Sequence, residues 1–118
     1  MFTEKRAFRR IRIACKLSII FNERQLIFNS HTEDLSAGGM MVIIEEGFPL
    51  ATVVGLELFL WHEAGPIKCK GEIVWVNEIT PKETKPRLFN TGIKFIEISD
   101  SDKEEIAKFV NNIISTWR

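Results

Sequence analysis

The chain has 118 residues, 45% hydrophobic and 27% charged, with four Pro, seven Gly and two Cys. This composition excludes a disordered or collagen-like chain and fits one soluble domain able to bury roughly two-thirds of its unfolded surface. Sixteen Lys and Arg balance sixteen Asp and Glu, but residues 1–16 carry six bases against one acid, +5, and the remainder carries the compensating −5.

From Ile11 the pattern alternates, with Ile11, Ile13, Cys15, Leu17, Ile19 and Phe21 on one face, which predicts a first strand running unbroken to Phe21. Asn22-Glu23-Arg24 is a polar break, after which Leu26, Phe28, Ser30 and Thr32 alternate as a hairpin return strand. The cluster Asp34-Leu35-Ser36-Ala37-Gly38-Gly39 reads as a turn, and Met40–Ile44 as the third strand. Glu45–Thr52 is a loop, Val53–Trp61 a fourth strand, His62–Pro66 a turn, and Ile67–Val76 a fifth strand in which Gly71 marks a bulge or bend. Thr80–Pro86 is an exposed loop and Leu88–Ile98 the sixth strand. Six strands on short connections suggest an antiparallel barrel, because closure removes exposed sheet edges.

Beyond residue 98 the period changes. Ile106, Phe109, Val110, Ile113, Ile114 and Trp117 form one apolar stripe, which predicts a C-terminal helix packed on the barrel. Ser101 and Glu104 resemble a capping box, and Asp100, Asp102, Glu104 and Glu105 suit the positive end of the helix dipole. The expected organisation is therefore a flexible basic arm over 1–10, a barrel over 11–98 and a helix over 99–118.

Catalytic patterns are missing. The two histidines, His31 and His62, and the two cysteines, Cys15 and Cys69, show no metal-ligand spacing, and no phosphate-binding glycine loop precedes a helix. The cysteines read as small apolar residues of a reducing compartment. No apolar run of the roughly 7–15 residues that a secretory leader needs follows the N-terminal bases, and Met40–Ile44 is too short to span a bilayer. A cytoplasmic protein without membrane insertion, enzymatic activity, metal or cofactor is expected.

Two features carry chemistry. The arm Lys5-Arg6-Ala7-Phe8-Arg9-Arg10-Ile11-Arg12 concentrates guanidinium groups, whose planar fork pairs with phosphate oxygens or the O6/N7 edge of guanine. Taken alone it is an anion site or a solvated tail. Asp34-x-Ser36-x-x-Gly39 offers a carboxylate that can accept from guanine N1–H and N2–H2, a hydroxyl, and a glycine that admits close approach. An Asx-turn explains the same residues equally well.

In this order, Arg6-x-x-x-Arg10, Asp34-x-Ser36-x-x-Gly39, Gly92-x-x-Phe95 and a terminal helix closely resemble the bacterial PilZ domain, over nearly the whole chain from Glu4. The resemblance implies a six-stranded antiparallel split barrel with a C-terminal helix that serves as a receptor for the second messenger cyclic di-GMP. It implies ligand-binding roles for Arg6 and Arg10 in the first motif and for Asp34, Ser36 and Gly39 in the second, with Arg9 and Lys5 as further contacts. Lys5 stands where many members have Arg, keeping the charge and losing the planar fork.

The mechanism expected on that basis is an arm, loosened by like-charge repulsion when empty, that orders on the ligand and presents a new surface to a downstream protein. A domain that works only as an interaction adaptor, without nucleotide, is the alternative. A nucleic-acid ligand is disfavoured by the −5 body, which repels a polyanion while admitting a compact dianion.

Overall fold

The computed structural model describes residues 9–21, 26–61, 65–79 and 85–116. In chain order the elements are β1 (Arg10–Ile11), β2 (Lys16–Phe21), β3 (Leu26–Ser36), β4 (Gly39–Ile44), β5 (Val53–Phe59), β6 (Ile67–Glu78), β7 (Phe89–Glu97) and α1 (Asp100–Thr116). Every pairing is antiparallel, in the order β1-β3-β2-β5-β6-β7-β4, and β4 returns to pair with β3. Strands β2–β7 thus close the expected six-stranded barrel, and β1 is a two-residue ribbon laid beside β3.

Period-two patterning fills the interior. Leu17 and Ile19 from β2, Val54, Leu56 and Leu58 from β5, Val42 from β4, and Ile73 and Ile93 from β6 and β7 are buried. Each contributes roughly 1.5–3 kcal/mol relative to exposure. Helix α1 brings Ile106, Phe109 and Val110 onto this core, with Ile113 and Ile114 packed against it, and lies against β1 and β3. Trp117 lies outside the described residues. The cap of α1 is Ser99 rather than Ser101: its hydroxyl accepts from the Asp102 amide at 3.0 Å and its carbonyl from the Lys103 amide at 2.9 Å. Capping needs an oxygen just ahead of the first turn, and Ser101 already lies inside it.

The first strand differs from expectation. It is interrupted between Ile11 and Lys16, although Ile11, Cys15 and Leu17 remain buried on one side. The register changes there: Ile11 faces Leu35, and Lys16 faces His31, so the four residues 12–15 stand against the three residues 32–34 of β3. The mismatch is absorbed by the fully buried Thr32. Its hydroxyl accepts from the Cys15 amide at 2.9 Å and donates to the Ile13 carbonyl at 2.6 Å, while its own amide donates to the Cys15 carbonyl at 2.9 Å. A side chain thus satisfies buried backbone groups that the ladder abandons.

The second strand is longer than the alternation predicts. It continues through Asp34 and Ser36, and the turn is confined to Ala37-Gly38. The strand pattern survives because a bulge between Thr32 and Asp34 inserts one residue, Glu33, opposite the unbroken pair Met41-Val42 of β4. Gly71 sits, as expected, at a register shift between β6 and β7, where a Cβ would press on the Leu56 and Ile93 side chains.

Candidate functional site

The bulge in β3 decides which way the motif residues point. Phe28 and Thr32 belong to the inward set, so an unbroken strand would turn Asp34 inward as well. With one residue inserted, Leu35 becomes the inward residue, fully buried, and Asp34 and Ser36 fall on the outer face of the strand, where Ser36 is nonetheless buried. Bulges are a common device for re-aiming a side chain.

On the outside Asp34 meets the arm. β1 pairs Arg10 with Ser36 and Ile11 with Leu35. Because Ile11 points inward onto the core, Arg10 points outward, and its Nη1 lies 3.6 Å from Asp34 Oδ2. The side chains are 31% and 15% exposed. An ion pair of this length, open to water, contributes at most about 1 kcal/mol. Its greater effect is positional: one carboxylate oxygen is engaged by the guanidinium, while Oδ1 is buried and has no hydrogen-bond partner among the described residues. A buried acceptor left this way costs roughly 1–3 kcal/mol and calls for an explanation.

The other two residues of the second motif build the hairpin. The Ser36 hydroxyl donates to the Gly39 carbonyl and accepts from the Gly38 amide, both at 3.2 Å. Gly39 has its reason in β7, since a Cβ there would strike the Ile93 carbonyl oxygen and lie 3.2 Å from Lys94 Cα. Asp34 is therefore the motif member with an atom to spare, and Ser36 and Gly39 hold it in place. Arg9 is exposed, whereas Lys5 and Arg6 lie outside the described residues, as does most of the arm expected to be flexible.

Sequence reasoning missed Trp75. Asp34 pairs with Met41, Met41 with Gly92, and Gly92 with Trp75, so all four lie in one outward row across β3, β4, β7 and β6. The indole occupies the space a Gly92 side chain would take, yet Trp75 remains 41% exposed. A flat aromatic surface carried on β6 thus stands three strands from the carboxylate on β3. An outward Trp and a strand Gly were both visible in the sequence, but their pairing was not.

The remaining chemistry-bearing residues do not converge. Among the described residues no three His, Cys, Asp or Glu side chains are grouped to hold a metal ion, and His62 lies outside them. Both cysteines are free. Burial pushes the Cys69 thiol up to about 11, with Asp102 adding to the effect, and burial raises Cys15, with the neighbouring Thr32 hydroxyl opposing the shift. Neither is a thiolate near neutral pH. A groove of about 520 Å³ opens elsewhere, between Ile13–Lys16, Phe59, Trp61 and Phe109. It contains no carboxylate and neither motif.

A family model described as the PilZ domain matches residues 4–112. The fold is similar to the Bacillus subtilis inhibitor of motility MotI/DgrA, with a TM-score of 0.81 and 16% identity over 98% of this chain and 54% of that one. It is also similar to the PilZ domain of Escherichia coli YcgR solved with c-di-GMP, with a TM-score of 0.73 and 14% identity over 98% of this chain and 95% of that one. For the K. pneumonia MrkH–c-di-GMP complex the TM-score is 0.73 and the identity 16%, over 97% of this chain and 54% of MrkH. This chain therefore spans about half the length of MotI/DgrA and MrkH and nearly all of the YcgR domain. Comparison with curated protein sequences gives no match. No described helix is long and apolar enough to cross a membrane.

Proposed function

This chain belongs to the PilZ domain family, and on that premise we propose that it is a receptor for cyclic di-GMP, binding the dinucleotide where β1 meets the β3–β4 hairpin. The observation that carries the reading is Asp34, held by Arg10 through Oδ2 and left with a buried, unpartnered Oδ1 among the described residues. A guanine Watson–Crick edge presents adjacent N–H donors that match such an acceptor, and the phosphates are drawn to the guanidinium. Arg6 and Arg10 grip guanine edges and phosphates, Arg9 and Lys5 add charge, and Ser36 and Gly39 fix the hairpin. The exposed face of Trp75 offers a stacking surface for a base.

Signalling follows from where the arm is anchored. β1 is only two residues long and lies under α1, so a ligand that orders the arm acts on a ribbon already in contact with the helix. The ordered arm and helix form the surface that a downstream protein reads. The activity is binding, not catalysis.

Titration calorimetry with cyclic di-GMP tests the reading. Saturable binding is expected, and Arg10→Ala should weaken it by about 1–3 kcal/mol. An absence of heat at high micromolar ligand would reject the receptor and leave the adaptor that works without nucleotide.

A further inference from the structure

We propose that Lys94 is a phosphate-contacting residue of the same site, opposing Arg10 from the far side of the hairpin; the inference rests on the receptor reading and deepens it. The sequence motif Gly92-x-x-Phe95 leaves position 94 unspecified. The sheet does not. Arg10 pairs with Ser36, Ser36 with Gly39, and Gly39 with Lys94, which sets the two cations at the ends of one row across β1, β3, β4 and β7.

The neighbouring row fixes the direction in which they point. Ile11, Leu35, Met40 and Ile93 are paired in the same sequence and are all buried in the core. Alternation therefore turns Arg10 and Lys94 to the same outer surface. Three strand spacings of about 4.8 Å put their Cα atoms about 14 Å apart, a span that two long side chains can close upon a small dianion.

Between the two cations, neither residue of the row reaches outward with a free polar side chain, and both are buried. Ser36 has its hydroxyl folded into the hairpin, and Gly39 has no side chain. The missing Cβ at Gly39 also lets β4 and β7 approach closely, and the Phe95 amide donates to the Gly38 carbonyl at 3.0 Å. Lys94 is thereby held beside the hairpin that carries Asp34. It is exposed, and although Glu72 faces it across the β6–β7 ladder, it makes no ion pair with a described residue. Lys70, Lys108 and Arg87 each have a carboxylate partner.

The test is calorimetric titration of the full chain with cyclic di-GMP, comparing wild type, Lys94→Gln, Lys94→Arg and Lys68→Gln. Lys68 is likewise an exposed strand lysine opposite a glutamate, Glu57, but it lies away from the hairpin. Lys94→Gln should weaken binding about tenfold or more, as expected for loss of a charge-assisted contact, and the deficit should shrink as salt rises. Lys94→Arg should stay near wild type and Lys68→Gln should be indistinguishable from it. Wild-type binding with an unchanged Lys94→Gln affinity overturns this inference alone. Equal losses in Lys94→Gln and Lys68→Gln also overturn it, by reducing the effect to overall charge. A wild type that takes up no ligand overturns the receptor reading and this inference with it.

Discussion

Residues 26–31 of β3 lie against β2, with Phe28 turned inward onto the edge of the Phe48 ring and Ile27, Asn29 and His31 exposed. Residues 32–36 of the same strand lie between β1 and β4, with Thr32 and Leu35 fully buried and Asp34 carrying an acceptor that no described residue satisfies. The first half keeps an uninterrupted register over six pairs, and the second is irregular on both of its edges. The regular half builds barrel. The irregular half spends a bulge, a buried hydroxyl and an unpaired carboxylate oxygen to put one acid outside, next to one base.

Several substitutions sharpen this contrast. Leu35→Ala should cost the most, about 2–5 kcal/mol of unfolding free energy, because Leu35 is the inward anchor that the bulge creates. Chemical denaturation would measure it, and a loss below 1 kcal/mol would mean that the second half is not held by its core contact. Thr32→Val keeps the shape and strands the Cys15 amide and Ile13 carbonyl, so a loss of about 1–3 kcal/mol is expected in the same experiment. Asp34→Asn should divide stability from binding. The fold should change by less than about 1 kcal/mol, since only a partly exposed ion pair is lost, while cyclic di-GMP affinity falls by about 1–3 kcal/mol. Equal affinity for Asp34→Asn would remove the carboxylate from the site. Ile27→Ala, in the first half and 63% exposed, should alter stability by no more than about 0.5 kcal/mol and binding not at all.

The regular half was the legible one. Alternation located β5 and the end of β2, the apolar run after the turn residues located β4, the flanking turn and loop residues bounded β6 and β7 to within a few residues, and the 3.6 period located α1. The interruption at residues 12–15 was not legible. Its apolar residues keep their alternation while the pairing partner slips by one residue, and a slip belongs to two strands, not to one. The extension of β3 through Asp34 and Ser36 was hidden for a related reason. Turn-forming residues and a bulged strand end share the same composition, and only the β3–β4 register distinguishes them. Arg10 and Asp34 could be named from the motifs, but their 3.6 Å approach, and the rows that bring Trp75 and Lys94 toward them, depend on strand order.

The central claim is that the second half of β3, not the first, faces the ligand. Amide chemical-shift mapping of the ¹⁵N-labelled chain during titration with cyclic di-GMP tests it most directly. The account predicts the largest changes at Arg9–Ile11, Asp34–Gly39 and Gly92–Lys94, with residues 26–31 nearly unmoved. Changes concentrated in the groove around Lys16, Trp61 and Phe109, or spectra unaltered at saturating ligand, would contradict it.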